Sequence, residues 1–115
     1  MASFTITEHT QGDVAIVTLA GDVTPGKLEG VLSGRMLNLV GKGYKKLVLN
    51  LEGLPSIDSI ALGEIVRSYT SVVRQGAKMK LAAVPKKIVD LFRVTRLIMA
   101  FELAASNDEA IAAFQ

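Results

Sequence analysis

Apolar and polar residues alternate from Phe4 to His9, with Phe4 and Ile6 in one set and Thr5 and Thr7 in the other. A period of two belongs to a half-buried strand. Thr10-Gln11-Gly12-Asp13 then supplies turn residues before the apolar run from Val14 to Leu19, and the two runs together predict a β-hairpin. After Ala20-Gly21-Asp22 the period lengthens. Thr24-Pro25 offers an N-cap followed by proline at the first helical position, and Leu28, Val31, Leu32, Leu39 and Val40 recur at helical spacing, predicting a helix that ends near Gly41 or Gly43.

Leu47 to Leu51 is nearly continuous in apolar residues, as expected of a central strand covered on both faces. From about Asp58 a helix is predicted as far as Gly76, which stands where a left-handed C-terminal residue belongs, and Met79 to Val84 reads as the next strand. Pro85 opens a short helix with Ile88, Leu91, Phe92 and Thr95 facing inward, and Met99 to Leu103 is the last strand. Ser106-Asn107-Asp108-Glu109 has the form of a capping box, in which the serine and glutamate side chains satisfy free N–H groups of the first turn, and it starts the final helix.

The order is β-β-α-β-α-β-α-β-α, and strands alternating with helices need crossover connections that make the middle strands parallel. The expected fold is therefore α/β: a mixed, mostly parallel sheet packed with about four helices. No linker or change of composition divides residues 1–115, which read as a single domain.

Composition narrows the chemistry. The 13 Lys and Arg and 11 Asp and Glu give a net charge of +2, the cations are scattered, and tryptophan is absent, so the electrostatic and stacking footprint of a nucleic-acid binder is missing. The absence of cysteine removes disulfides, thiolate metal sites and thiol catalysis. His9 is the only histidine, with no titratable partner at a fixed spacing. Phosphate-binding, dinucleotide, metalloprotease and nucleophile-elbow motifs are all missing, so we expect no catalytic residues, no metal and no cofactor. An acid after the central strand also suits a response-regulator receiver, but the acidic cluster such a site needs for magnesium is missing from the first strands. Met1-Ala2-Ser3-Phe4 carries neither a basic nor an apolar leader segment, and no apolar run approaches a membrane span; a cytoplasmic protein with no membrane insertion is expected.

The Asp58-Ser59 pair puts a hydroxyl at the start of a helix, where unpaired N–H groups and the helix dipole favour negative charge. With successive residues about 100° apart, Leu62, Ile65, Val66, Tyr69, Val72 and Val73 fall on the side that faces the sheet. Glu64, Arg67, Ser71 and Gln75 fall opposite, Ser59, Gly63 and Thr70 lie at the border, and Ile60 projects into the polar group. Ile60 is then either an apolar anchor for a partner, a lone surface residue, or a side chain buried against the Pro55 loop. Ser59 by itself is as well explained as an N-cap, and Asp58 as the cap or as an acceptor that orients the serine hydroxyl.

Taken together, these segments resemble the STAS family, the sulfate-transporter and anti-sigma-factor-antagonist domain, over essentially the whole chain. The resemblance rests on Leu19-Ala20-Gly21-Asp22, on Leu47-Val48-Leu49-Asn50-Leu51 leading through Ile57-Asp58-Ser59 to Ala61-Leu62-Gly63, on Gly76-Ala77-Lys78-Met79, and on Ser106-Asn107-Asp108-Glu109-Ala110. Family members commonly read Asp-Ser-Ser-Gly-Leu-Gly in the middle segment, and the first serine, matched by Ser59, is the phosphate acceptor of bacterial anti-sigma factor antagonists. The resemblance implies a partner switch in which the unphosphorylated protein binds an anti-sigma kinase, phosphorylation releases it, and a phosphatase resets it. The partner surface would comprise Asp58, Ser59, Ile60, Gly63, Glu64 and Arg67. Ile60 and Ala61 replace the usual second serine and glycine, and Thr24 stands where the family has an acid. Those departures keep a second reading open: a constitutive scaffold or accessory subunit in a stress-signalling complex or beside a lipid-transport ATPase. The oligomeric state is not legible.

Overall fold

The computed structural model describes residues 4–22 and 27–114. Strands β1 (Phe4–Gln11) and β2 (Val14–Gly21) form the expected hairpin, with Gly12 at φ 63° in its two-residue loop. They are followed by α1 (Val31–Gly41), β3 (Lys46–Gly53), α2 (Ser59–Arg74), β4 (Lys78–Ala82), α3 (Lys86–Val94), a 3-10 turn at Leu97–Met99, β5 (Leu103–Ala104) and α4 (Asn107–Ala113). The sheet order is β1-β2-β3-β4-β5; β1 pairs antiparallel with β2 and every other pair is parallel.

The pleat divides the core. Ala15, Val17 and Leu19 of β2, Leu47, Leu49 and Leu51 of β3, and Met79 and Leu81 of β4 belong to one cluster with α1, α2 and α3. Val14, Ile16, Val48 and Ala82 point to the other face, where Ala110 of α4 covers them. Both faces of β3 are thus buried, which is why Leu47 to Leu51 is apolar but for Asn50.

Three expected boundaries move. The strand expected from Met79 to Val84 runs from Lys78 to Ala82 and stops before Ala83, whose φ of 53° is left-handed. The N-cap predicted at Thr24 and Pro25 lies outside the described residues, but Lys27–Gly30 is not helical: α1 starts only after Gly30, whose φ of 76° is left-handed. Leu28 is buried in the turn that precedes the helix, accepting hydrogen bonds from the Val31 and Leu32 N–H groups, and its spacing from Leu32 mimicked a helical stripe. Val31, expected to face inward, is exposed, and Met36 takes the core position instead. The last strand is also shorter than Met99 to Leu103. Arg96 at φ 64° breaks the chain into the 3-10 turn, Met99 is 89% exposed, and only Leu103 and Ala104 pair with β4. In α3, Ile88 and Phe92 are buried as expected, whereas Thr95 is an exposed C-cap whose hydroxyl donates to the Leu91 carbonyl.

Candidate functional site

The site is built by the passage from β3 to α2. Leu54 is buried and its N–H donates back to the Leu51 carbonyl, so the chain turns sharply where the central strand ends. Gly53 makes that turn possible against β2. A Cβ at this position would stand 2.5 Å from the Cβ of Ala20, its register partner, at a break in the β2–β3 register. Ile57, partly buried against the main core, and Leu62 inside it bracket the helix start as a hydrophobic staple does.

Asp58 is the N-cap. Its backbone is extended, and its Oδ1 accepts the Ala61 N–H at 2.8 Å. Asp58 thus acts as the cap. Ser59 is therefore the first helical residue and is exposed, in the turn whose N–H groups lack partners within the helix. Ile60 follows at 45% exposure, so it is not folded against the Pro55 loop, while Ala61 is buried. Gly63 is exposed, and nothing lies within 4 Å of where its Cβ would be. Arg67, two turns beyond Ser59, is exposed along most of its side chain. Ser59, Ile60, Gly63 and Arg67 form one open stripe, because residues three and four apart are neighbours on a helix surface.

Glu64 departs from the expectation. Placed by its spacing on the solvent side, it is buried, with a side chain 0% exposed. Its Oε2 accepts the backbone N–H of Ser33 at 2.8 Å, and its Oε1 lies 3.6 Å from the Arg67 guanidinium without a hydrogen-bond partner. The cause is α1, which lies beside α2 on the same face of the sheet and covers the side carrying Ala61, Glu64 and Ser68. Val73 errs the other way: expected in the core, it is 48% exposed. Glu64 thus supports the site from below, and Asp58, Ser59, Ile60, Gly63 and Arg67 remain at or near its surface.

Asn50 is among the buried polar residues that the sequence pattern does not mark as functional. Asn50 in β3 donates from Nδ2 to Asn107 Oδ1 at 2.9 Å and accepts the Glu52 N–H on its own Oδ1, tying the start of α4 to the sheet. A single Asn inside an apolar run was its only signal.

An α/β domain with a five-stranded mixed sheet, and an exposed serine opening the helix after the central strand, is the class this geometry defines. A sequence model of the STAS domain matches residues 5–110, and the chain belongs to the STAS domain family. Solved structures of similar fold include an anti-sigma factor antagonist from Mycobacterium paratuberculosis, at 19% identity and TM-score 0.82, covering 96% of this chain and 93% of that one. The Bacillus cell-fate determinant SpoIIAA in its phosphorylated form is similar at 15% identity and TM-score 0.71, over 98% of this chain and 100% of that one. A serine-to-glutamate variant of RsbS from Moorella thermoacetica matches at 12% identity and TM-score 0.69, over 94% and 92% of the two chains. The chain therefore has the fold of anti-sigma factor antagonists. No helix among the described residues is long and apolar enough to cross a membrane.

Proposed function

We propose that this protein is an anti-sigma factor antagonist that switches partners at Ser59. Unphosphorylated, it binds an anti-sigma kinase through the stripe of Ser59, Ile60, Gly63 and Arg67; phosphorylation of Ser59 by that kinase releases it, and a phosphatase restores the first state. The observation that carries this reading is the exposed Ser59 hydroxyl at the first position of α2, with an exposed apolar side chain next to it.

Phosphorylation adds about 1.5 to 2 negative charges. Within the free protein the start of α2 accommodates them, since the helix dipole contributes about 0.3–1 kcal/mol toward an anion there. In a docked interface the same group is stripped of water close to Asp58, and an uncompensated buried charge costs several kcal/mol. A cost of about 3–4 kcal/mol lowers affinity several-hundred-fold. The switch acts at the surface and needs no change of fold.

Incubation with the cognate anti-sigma kinase and ATP, followed by mass spectrometry of the peptide containing Ser59, tests the proposal. Stoichiometric modification that weakens kinase binding supports it. A protein that remains unmodified and bound is instead a constitutive scaffold, the reading that the apolar Ile60-Ala61 pair would suit.

A further inference from the structure

Strand β5 is only two residues long, and the part of β4 it leaves uncovered forms a second site at the other end of α2. The Lys78 N–H donates to Lys45 of β3, whereas the Leu81 and Ala83 N–H groups donate to the carbonyls of Glu102 and Ala104 on the β5 side. By this alternation the Met79 N–H also points to the β5 side. There the chain has turned away into the 3-10 turn, and no backbone group among the described residues accepts it. The gap is a cavity of about 400 Å³. Tyr69 and Val73 of α2 wall it on one face of the sheet, Phe114 walls it on the other, and Met79, Lys80 and Glu102 line the sheet edge between.

Lys80 gives this cavity its chemistry. Its side chain is 11% exposed, its Nζ lies 5.0 Å from the centre of the Phe114 ring, and it pairs with Glu102, whose side chain is 71% exposed. A buried ammonium needs a counter-charge, but this one is supplied from a solvated rim where water competes for the carboxylate. An ammonium has three donors, and one carboxylate with one ring face leaves capacity for a further oxygen. Tyr69, Phe114 and Val73, which leaves nearly half its surface uncovered, give the cavity an apolar and aromatic side opposite the polar groups of Lys78, Lys80 and Glu102.

We propose that the cavity binds a small amphipathic monocarboxylate. The carboxylate displaces that of Glu102 on Lys80 and accepts from the free Met79 N–H, and the hydrocarbon or aromatic body lies against Tyr69, Val73 and Phe114. The volume falls in the range of small-molecule sites, and the lining joins a cationic and polar edge to apolar side chains, as an amphipathic ligand requires. At about 1.5 Å of rise per residue, Val73 lies about 20 Å along α2 from Ser59, so ligand and protein partner occupy opposite ends of one helix.

Titration of the ¹⁵N-labelled protein with octanoate, with octan-1-ol as the uncharged control, tests the site independently of Ser59. Saturable amide shifts centred on Met79, Lys80 and Phe114 are expected with octanoate and not with octan-1-ol. Lys80→Met, which keeps an unbranched apolar stem, should weaken binding at least tenfold. Glu102→Gln, at an exposed position that leaves the core untouched, should tighten it by removing the competing carboxylate. Absence of saturable shifts in the millimolar range, equal response to the alcohol, or unchanged affinity in folded Lys80→Met would overturn the proposal.

Discussion

The carboxylate of Glu64 in α2 caps α1: its Oε2 accepts the Ser33 N–H at 2.8 Å from within the protein. Ser33 is the third residue of α1, a helix whose N-cap is Gly30 and whose first turn holds no acid. The cap that α1 lacks in its own sequence is lent by its neighbour. The same carboxylate faces Arg67, so the first turns of α2, the start of α1 and the exposed stripe share one charged group.

Removing that group should uncouple the two helices. Glu64→Ala leaves the Ser33 N–H buried without an acceptor, at a cost of about 1–3 kcal/mol. Glu64→Gln retains an acceptor oxygen and should lose less. Urea denaturation measures the difference, and hydrogen exchange at the Ser33 amide should accelerate in the alanine variant before that of β3 does.

The cap of α2 itself is separable from the phosphoacceptor. Asp58→Ala should cost about 1 kcal/mol of stability, whereas Asp58→Asn, which still offers an oxygen to the Ala61 N–H, should cost less. Thermal unfolding of the three proteins compares them directly.

Gly53 is required by contact rather than by an unusual backbone angle. Its missing Cβ leaves room for Ala20 across the β2–β3 pair, and Gly53→Ala would place two carbons 2.5 Å apart. The strands must shift, and overpacking of this kind costs about 1–3 kcal/mol. Gly63→Ala, made inside α2 where a Cβ meets nothing, is its counterpart: it should stabilise the protein by up to about 1 kcal/mol, because alanine is the better helix former.

Asp13 gives a pH signature. The hydrogen bond and charge of Lys46, 2.9 Å away, hold its carboxyl below the ordinary aspartate value. A lowered folded-state value means that the stabilisation is present above the unfolded-state value and is lost as pH falls through the folded one. NMR titration should show Asp13 as the more acidic of the two when the native protein is compared with Lys46→Met. The pair is exposed, so the associated stability is small.

The order of elements was legible because each is marked by its own period and punctuation: the two-residue turn at Gly12, the apolar run of β3, Gly76 closing α2 at φ 81°, and Ser106 accepting from the Glu109 N–H. What was not legible depends on a third body. A helical wheel assigns one buried side, but α2 is flanked by both the sheet and α1, which pulls Glu64 and Ser68 inside. At its far end α2 runs past the short β5, which leaves Val73 uncovered. The residues from Met99 to Leu103 looked like a strand because spacing cannot reveal the left-handed Arg96 that folds the chain into a turn just before them. For the candidate site, the helix start and exposed Ile60 were readable from Asp58-Ser59, whereas the supporting role of Glu64 needed the position of α1.

The central claim is that a phosphate on Ser59 excludes the kinase partner at the surface of an unchanged fold. Calorimetric titration of the anti-sigma kinase with unmodified and fully Ser59-phosphorylated protein measures it most directly. The phosphorylated form is expected to bind several-hundred-fold more weakly, with superimposable circular dichroism spectra; equal affinity of the two forms would contradict a switch at this surface.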